Sequence, residues 1–101
     1  MDTSISAKDG KAVIRLAGRF DFTGHREFRE AVARALEPKD VREVQVDFGD
    51  VAYVDSSALG MLLVLRDKAR AVNRAVTLAN CKGSVRQVLD IANFSALFSI
   101  T

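Results

Sequence analysis

Between Glu43 and Phe48 the chain alternates strictly: Val44, Val46 and Phe48 are apolar, and Glu43, Gln45 and Asp47 are polar. A period of two is that of a β-strand, whose successive side chains point to opposite faces, so this strand has one dry face and one wet face. Helices should therefore cover only one side of much of the sheet. Upstream, Lys8-Asp9-Gly10-Lys11 holds an Asp-Gly pair suited to the left-handed residues of a hairpin turn. It predicts a short strand around Ser4–Ala7 and a longer one over Ala12–Ala17, with Ala12, Ile14 and Leu16 on one face.

A helical period takes over after Thr23, the expected N-cap. Phe28, Ala31, Val32, Ala35 and Leu36 recur on one face until Pro38 stops the helix. A second helix is expected from about Ser57 to Val72, then a strand from Arg74 to Ala79 through Val76 and Leu78. Ser84-Val85-Arg86-Gln87 has the spacing of a capping box. It would open a third helix whose buried stripe is Val85, Val88, Leu89 and Ala92. Phe94, Leu97, Phe98 and Ile100 can close the core, the last residues as a short strand.

The order is β-β-α-β-α-β-α-β. Strands joined through helices imply parallel neighbours and right-handed crossovers, and the opening hairpin adds an antiparallel edge. The fold class is α/β, with a mixed, mostly parallel sheet of four to five strands and helices mainly on one face.

Composition narrows the function classes. With 101 residues, 49% hydrophobic and 28% charged, a single folded domain over residues 1–101 is expected. The net charge of +2 is spread among mixed signs, without a basic block or interleaved aromatics, which speaks against nucleic-acid binding. Cys81 is the only cysteine, so no intrachain disulfide can form and a reducing compartment fits. The start of the chain lacks the basic and apolar parts of a signal peptide, and Ala58 to Leu65 is far short of the roughly 20 residues that span a bilayer. A cytoplasmic location without membrane attachment is the expectation.

Candidate chemistry is sparse. His25 and Cys81 make no zinc spacing, and no Walker-type phosphate loop or Gly-x-Ser-x-Gly occurs. Ser56 and Ser57 have only Asp55 as a titratable neighbour in sequence, a weak base for activating a hydroxyl. Asp21, Asp47, Asp50 and Asp55 fall at or near strand ends, as turn caps or, less often, as metal ligands. No enzyme activity, cofactor or metal is expected.

The exception is Val54-Asp55-Ser56-Ser57-Ala58-Leu59-Gly60-Met61-Leu62-Leu63, two hydroxyls between an apolar strand and an apolar helix. A serine there serves as an N-cap, and the same helix end, with about half a positive charge, tolerates a phosphoryl group. Phosphate on Ser56 would add about −1.5 to −2 of charge. Cap and regulatory site both fit. The helix itself is apolar almost all round: Leu59, Leu62 and Leu63 can face the sheet, which leaves Gly60, Met61 or Val64 nearer solvent. That surface is either a docking patch or covered by the neighbouring helices.

Asp55-Ser56-Ser57-Ala58-Leu59-Gly60 resembles the signature of the STAS domain of bacterial anti-sigma factor antagonists. Leu16-Ala17-Gly18-Arg19-Phe20-Asp21 resembles that family's Gly-x-x-Asp loop, Val44 to Phe48 its central strand, and Phe94 to Phe98 its hydrophobic ending. The resemblance implies partner switching. The unmodified protein binds an anti-sigma factor, often a GHKL-type serine kinase, which phosphorylates it, and a PP2C-type phosphatase reverses the change. Carried over, the phosphoacceptor is Ser56, with Ser57 second. Asp21 and Asp55 flank it, and Ser57, Gly60, Met61 and Val64 join the partner-binding surface. Gly-Arg-Phe-Asp-Phe and Leu-Ala-Asn-Cys look more like antagonists that work with a phosphatase fused to a response regulator. The alternative is a constitutive STAS subunit of a transporter complex.

Overall fold

In the computed structural model, which describes residues 1–101, the hairpin comes first. β1 (Asp2–Lys8) and β2 (Lys11–Phe20) pair antiparallel, with Lys8 opposite Lys11. The connecting Asp9 and Gly10 both have positive φ, 54° and 79°, the geometry whose twist matches paired strands. A 3-10 turn (Phe22–Gly24) leads into α1 (His25–Leu36), followed by β3 (Glu43–Val54), α2 (Ser56–Ala71), β4 (Ala75–Ala79) and α3 (Gly83–Ile91). A second 3-10 turn (Phe94–Ala96) and β5 (Ser99–Ile100) complete the order. The sheet runs β1-β2-β3-β4-β5, with every pair after the first parallel.

The helices lie on one face. There Ala12, Ile14, Leu16, Val44, Val46, Phe48 and Leu78 meet Phe28 and Val32 of α1, Leu62 and Leu65 of α2, and Val85 and Leu89 of α3. Burying a valine, leucine, isoleucine or phenylalanine side chain stabilises by about 1.5–3 kcal/mol. The other face stays polar: Thr77 donates to Glu43 at 2.7 Å, and Arg15 stands 3.9 Å from Asp47. No helix is long and apolar enough to cross a membrane.

Two strands outrun their sequence reading. β2 continues to Phe20 and β3 to Val54, paired through register shifts after Arg15 and Gly18. Each shift places an extra residue on β3, a bulge that spoils the alternation beyond Phe48. Gly18, at φ 96°, supplies the backbone freedom on the facing strand. Past the bulges Phe20 and Val54 return to the core side, and the Phe20 ring packs 4.9 Å from Phe28 and 6.2 Å from Phe48, between centroids.

Four local expectations are corrected. Thr23 does not cap α1: it lies inside the 3-10 turn that Asp21 caps, and Gly24 precedes α1 without a side-chain cap. Ser84 forms no capping box, because α3 begins at Gly83 after Lys82 and has no side-chain cap. Leu63 is exposed, since the buried stripe of α2 is Ala58, Leu62, Leu65 and Ala69. Finally, Leu97 and Ala92 turn outward while Phe94 and Phe98 stack at 5.3 Å and stay buried.

Candidate functional site

The last paired residues of β2 and β3 are Phe20 and Val54. Because the strands are parallel neighbours, the next residues, Asp21 and Asp55, leave the sheet side by side. The Asp55 N–H donates to Phe20 O at 3.3 Å across that exit. Both aspartates have extended backbones and both cap the helical turn that follows. Asp21 Oδ1 accepts from the Thr23 N–H at 3.0 Å and from the Thr23 hydroxyl. Asp55 Oδ1 accepts from the Ala58 N–H at 3.0 Å and from Ser57 Oγ at 2.6 Å. The cap of α2 is therefore Asp55, and the expectation of a serine cap is corrected. Its strand pairing ends at Val54, so the aspartate is the first residue free to turn.

Both carboxyls are held below the usual aspartate range. For Asp21 the main cause is the Thr23 hydroxyl, with Arg19 adding a weaker attraction. For Asp55 it is the Ser57 hydroxyl, partly offset by repulsion from Asp21. Both stay anionic at neutral pH. Arg19 lies 3.4 Å from Asp21 Oδ2, with its guanidinium carbon 4.3 Å above the Tyr53 ring.

Ser56 is the first residue of α2, and its side chain is exposed. Its hydroxyl stands outside the network that ties Ser57 to Asp55. Beside it a shallow groove is lined by Tyr53, Leu59, Val88, Ile91 and Ala92, with Ile91 87% exposed. On the other flank Phe22, 70% exposed, stacks on His25 at 5.7 Å.

Residues 3–99 match a protein-family model described as "Mlab, STAS domain". The chain belongs to the STAS domain family. This STAS domain is 46% identical to a STAS-domain containing protein of Pseudomonas aeruginosa, over 98% of this chain and 97% of that one. It is 28% identical to the putative anti-sigma factor antagonist BtrV of Bordetella bronchiseptica, over 99% of this chain and 85% of the relative. In fold it is similar to the anti-sigma factor antagonist SpoIIAA in its unphosphorylated form. That likeness has a TM-score of 0.75 at 22% identity and covers 99% of this chain and 87% of that one.

Within the STAS domain, Asp21, Asp55, Ser56 and Ser57 come together at one end of the sheet. Gly60 lies one turn along α2 on the exposed side, and a Cβ there would meet nothing within 4 Å. Met61 and Val64 sit further round α2, facing α1. The four strand-end aspartates do not gather. Asp47 is on the open sheet face, accepting from Asn80 and the Gly49 N–H, and Asp50 is exposed. Cys81 is buried, and desolvation pushes its thiol up to about 11, which keeps it protonated. Sequence reasoning missed Phe22, Tyr53 and Ile91. For Phe22 a signal was present in the pairing of Phe20-Asp21-Phe22-Thr23 with Val54-Asp55-Ser56-Ser57, each an apolar residue, an aspartate, a free position and a hydroxyl.

Proposed function

We propose that this STAS domain is a non-enzymatic anti-sigma factor antagonist of the cytoplasm, switched by phosphorylation of Ser56. The unmodified form binds an anti-sigma factor that is, or works with, a GHKL-type serine kinase. A PP2C-type phosphatase, alone or fused to a response regulator, restores it. The observation that carries this reading is the contrast between neighbouring hydroxyls: Ser57 Oγ is held by Asp55 at 2.6 Å, whereas Ser56 is exposed outside that bond. The name of the Bordetella relative supports the general role.

The electrostatics agree in sign. The helix end tolerates a phosphate at the first position of α2, so the fold survives the modification. The new charge, about −1.5 to −2, joins two carboxylates already anionic beside it. A partner carrying acidic groups, or one that must dehydrate this surface, then docks less well. A loss of about 3 kcal/mol is more than a hundredfold in affinity. The test is phosphate transfer from ATP by the cognate kinase to wild type, Ser56→Ala and Ser57→Ala. Labelling should vanish in Ser56→Ala and persist in Ser57→Ala; the reverse would move the site. A pull-down with Ser56→Asp should lose the regulator. Recovery of a transporter ATPase indifferent to that substitution would instead assign a constitutive subunit.

A further inference from the structure

A second surface feature runs away from Ser56, between α1 and α2. His25, Phe28, Arg29 and Val32 face Met61, Val64, Leu65 and Lys68 across a groove of about 250 Å³. Each set is spaced i, i+3, i+4, i+7, the stripe that one helix presents to another. Phe28, Val32 and Leu65 form a buried floor, while Val64 is 52% exposed on the wall. Arg29 and Lys68 stand at the rim, neither belongs to an ion pair within the chain, and no carboxylate lines the groove. We propose that this groove receives an acidic amphipathic helix of the regulatory partner. The proposal rests on the binding role argued above and adds the chemistry of what binds.

Three considerations select that occupant. A cleft walled by two helices offers no row of free backbone donors and acceptors, so an extended segment would leave its own peptide groups unmatched. A helix satisfies them internally and needs only an apolar stripe for the floor. The unpaired Arg29 and Lys68 then favour carboxylates along the flanks of that stripe. Position completes the argument. α1 and α2 both start at the exits of β2 and β3, so the His25–Met61 end of the groove adjoins Asp21, Asp55 and Ser56. An acidic helix seated there is the kind of ligand that a phosphate on Ser56 repels.

A photo-crosslinking amino acid placed singly at Val64, at Lys68 and, as control, at Gln45 of the open sheet face tests this in cells producing the full chain. The expected result is adducts from the first two positions and not from the control, with the attached peptide carrying a helical apolar repeat and net negative charge. Arg29→Glu combined with Lys68→Glu should cut the affinity for that partner by about tenfold or more, and added salt should act in the same direction. Circular dichroism of the double variant confirms that the fold persists. Absence of groove adducts, attachment to a basic or extended segment or to another copy of this chain, or indifference to charge reversal would each overturn the proposal. Ser56→Asp in the same assay reads the switch separately: adducts that survive it contradict phosphorylation control and leave the groove assignment standing.

Discussion

Asp21 and Asp55 stand at adjacent strand exits, and each accepts a hydrogen bond from the hydroxyl two residues further along, Thr23 in one case and Ser57 in the other. The two turns are built alike, which makes Phe22 and Ser56 counterparts. Both are the outward position between the aspartate and the hydroxyl that it holds. This end of the sheet therefore presents one free hydroxyl and one aromatic ring.

The cap makes Asp55 a stability element as well as a neighbour of Ser56. Asp55→Ala should cost about 1 kcal/mol, and Asp55→Asn less, in urea melts at neutral pH. Its carboxyl titrates lower in the folded chain than in the unfolded one, chiefly through the Ser57 hydroxyl. The contribution is thus complete above the ordinary aspartate range and is lost as pH falls through the folded value. Wild type should lose stability on acidification below about pH 4 more steeply than Asp55→Asn.

Ser56→Asp should leave the melting temperature within a few degrees of wild type, because an acidic residue in a first helical turn contributes about 0.3–1 kcal/mol favourably, against repulsion from Asp21 and Asp55. The same variant should fail to bind the regulator. A variant that unfolded would refute the idea that the helix end accommodates the charge.

Gly60 interrupts α2 one turn from its start with no packing reason, since a methyl group there meets open space. Gly60→Ala should raise stability by about 1 kcal/mol, the intrinsic helix preference. Partner affinity should fall, measured by calorimetry, if a partner backbone closes on that turn. A gain in stability with unchanged affinity would place the contact elsewhere.

Ile91 is an aliphatic side chain almost fully in solvent, next to Ser56. Ile91→Glu should change folding stability by less than about 0.5 kcal/mol. Its effect should appear in binding, as a drop of tenfold or more in partner affinity. Phe22→Ala, on the opposite flank, provides the matching measurement.

How much could be read from the chain alone differs from segment to segment for physical reasons. Val44, Val46 and Phe48 announce their strand because a half-buried strand needs only a period of two. From Gly49 to Tyr53 the bulges break that period, and the strand hides although it remains paired. On α2 the bulky Leu59, Leu62 and Leu63 suggest one buried face, yet the buried row begins and ends with Ala58 and Ala69. Ala58 and Ala69 are fully buried while Leu63 is exposed, so size alone misleads. The cap was legible as a polar pair but not as a choice between its members. That choice depends on where Val54 stops pairing, a tertiary fact. Met61 and Val64 were readable as apolar residues near solvent, whereas their opposite wall, His25 and Arg29, belongs to a helix thirty-odd positions earlier.

The two extra residues that β3 carries relative to β2 act as spacers. They set the distance from Phe48 at which the chain emerges beside Phe20, and so decide whether the two carboxylates meet at all. Asp50 and Ala52 are exposed, so the number of residues between Phe48 and Val54 matters here more than those two side chains. Deleting one residue should turn Val54 out of the interior and carry Asp55 and Ser56 away from Asp21, in a protein whose every signature residue is still present.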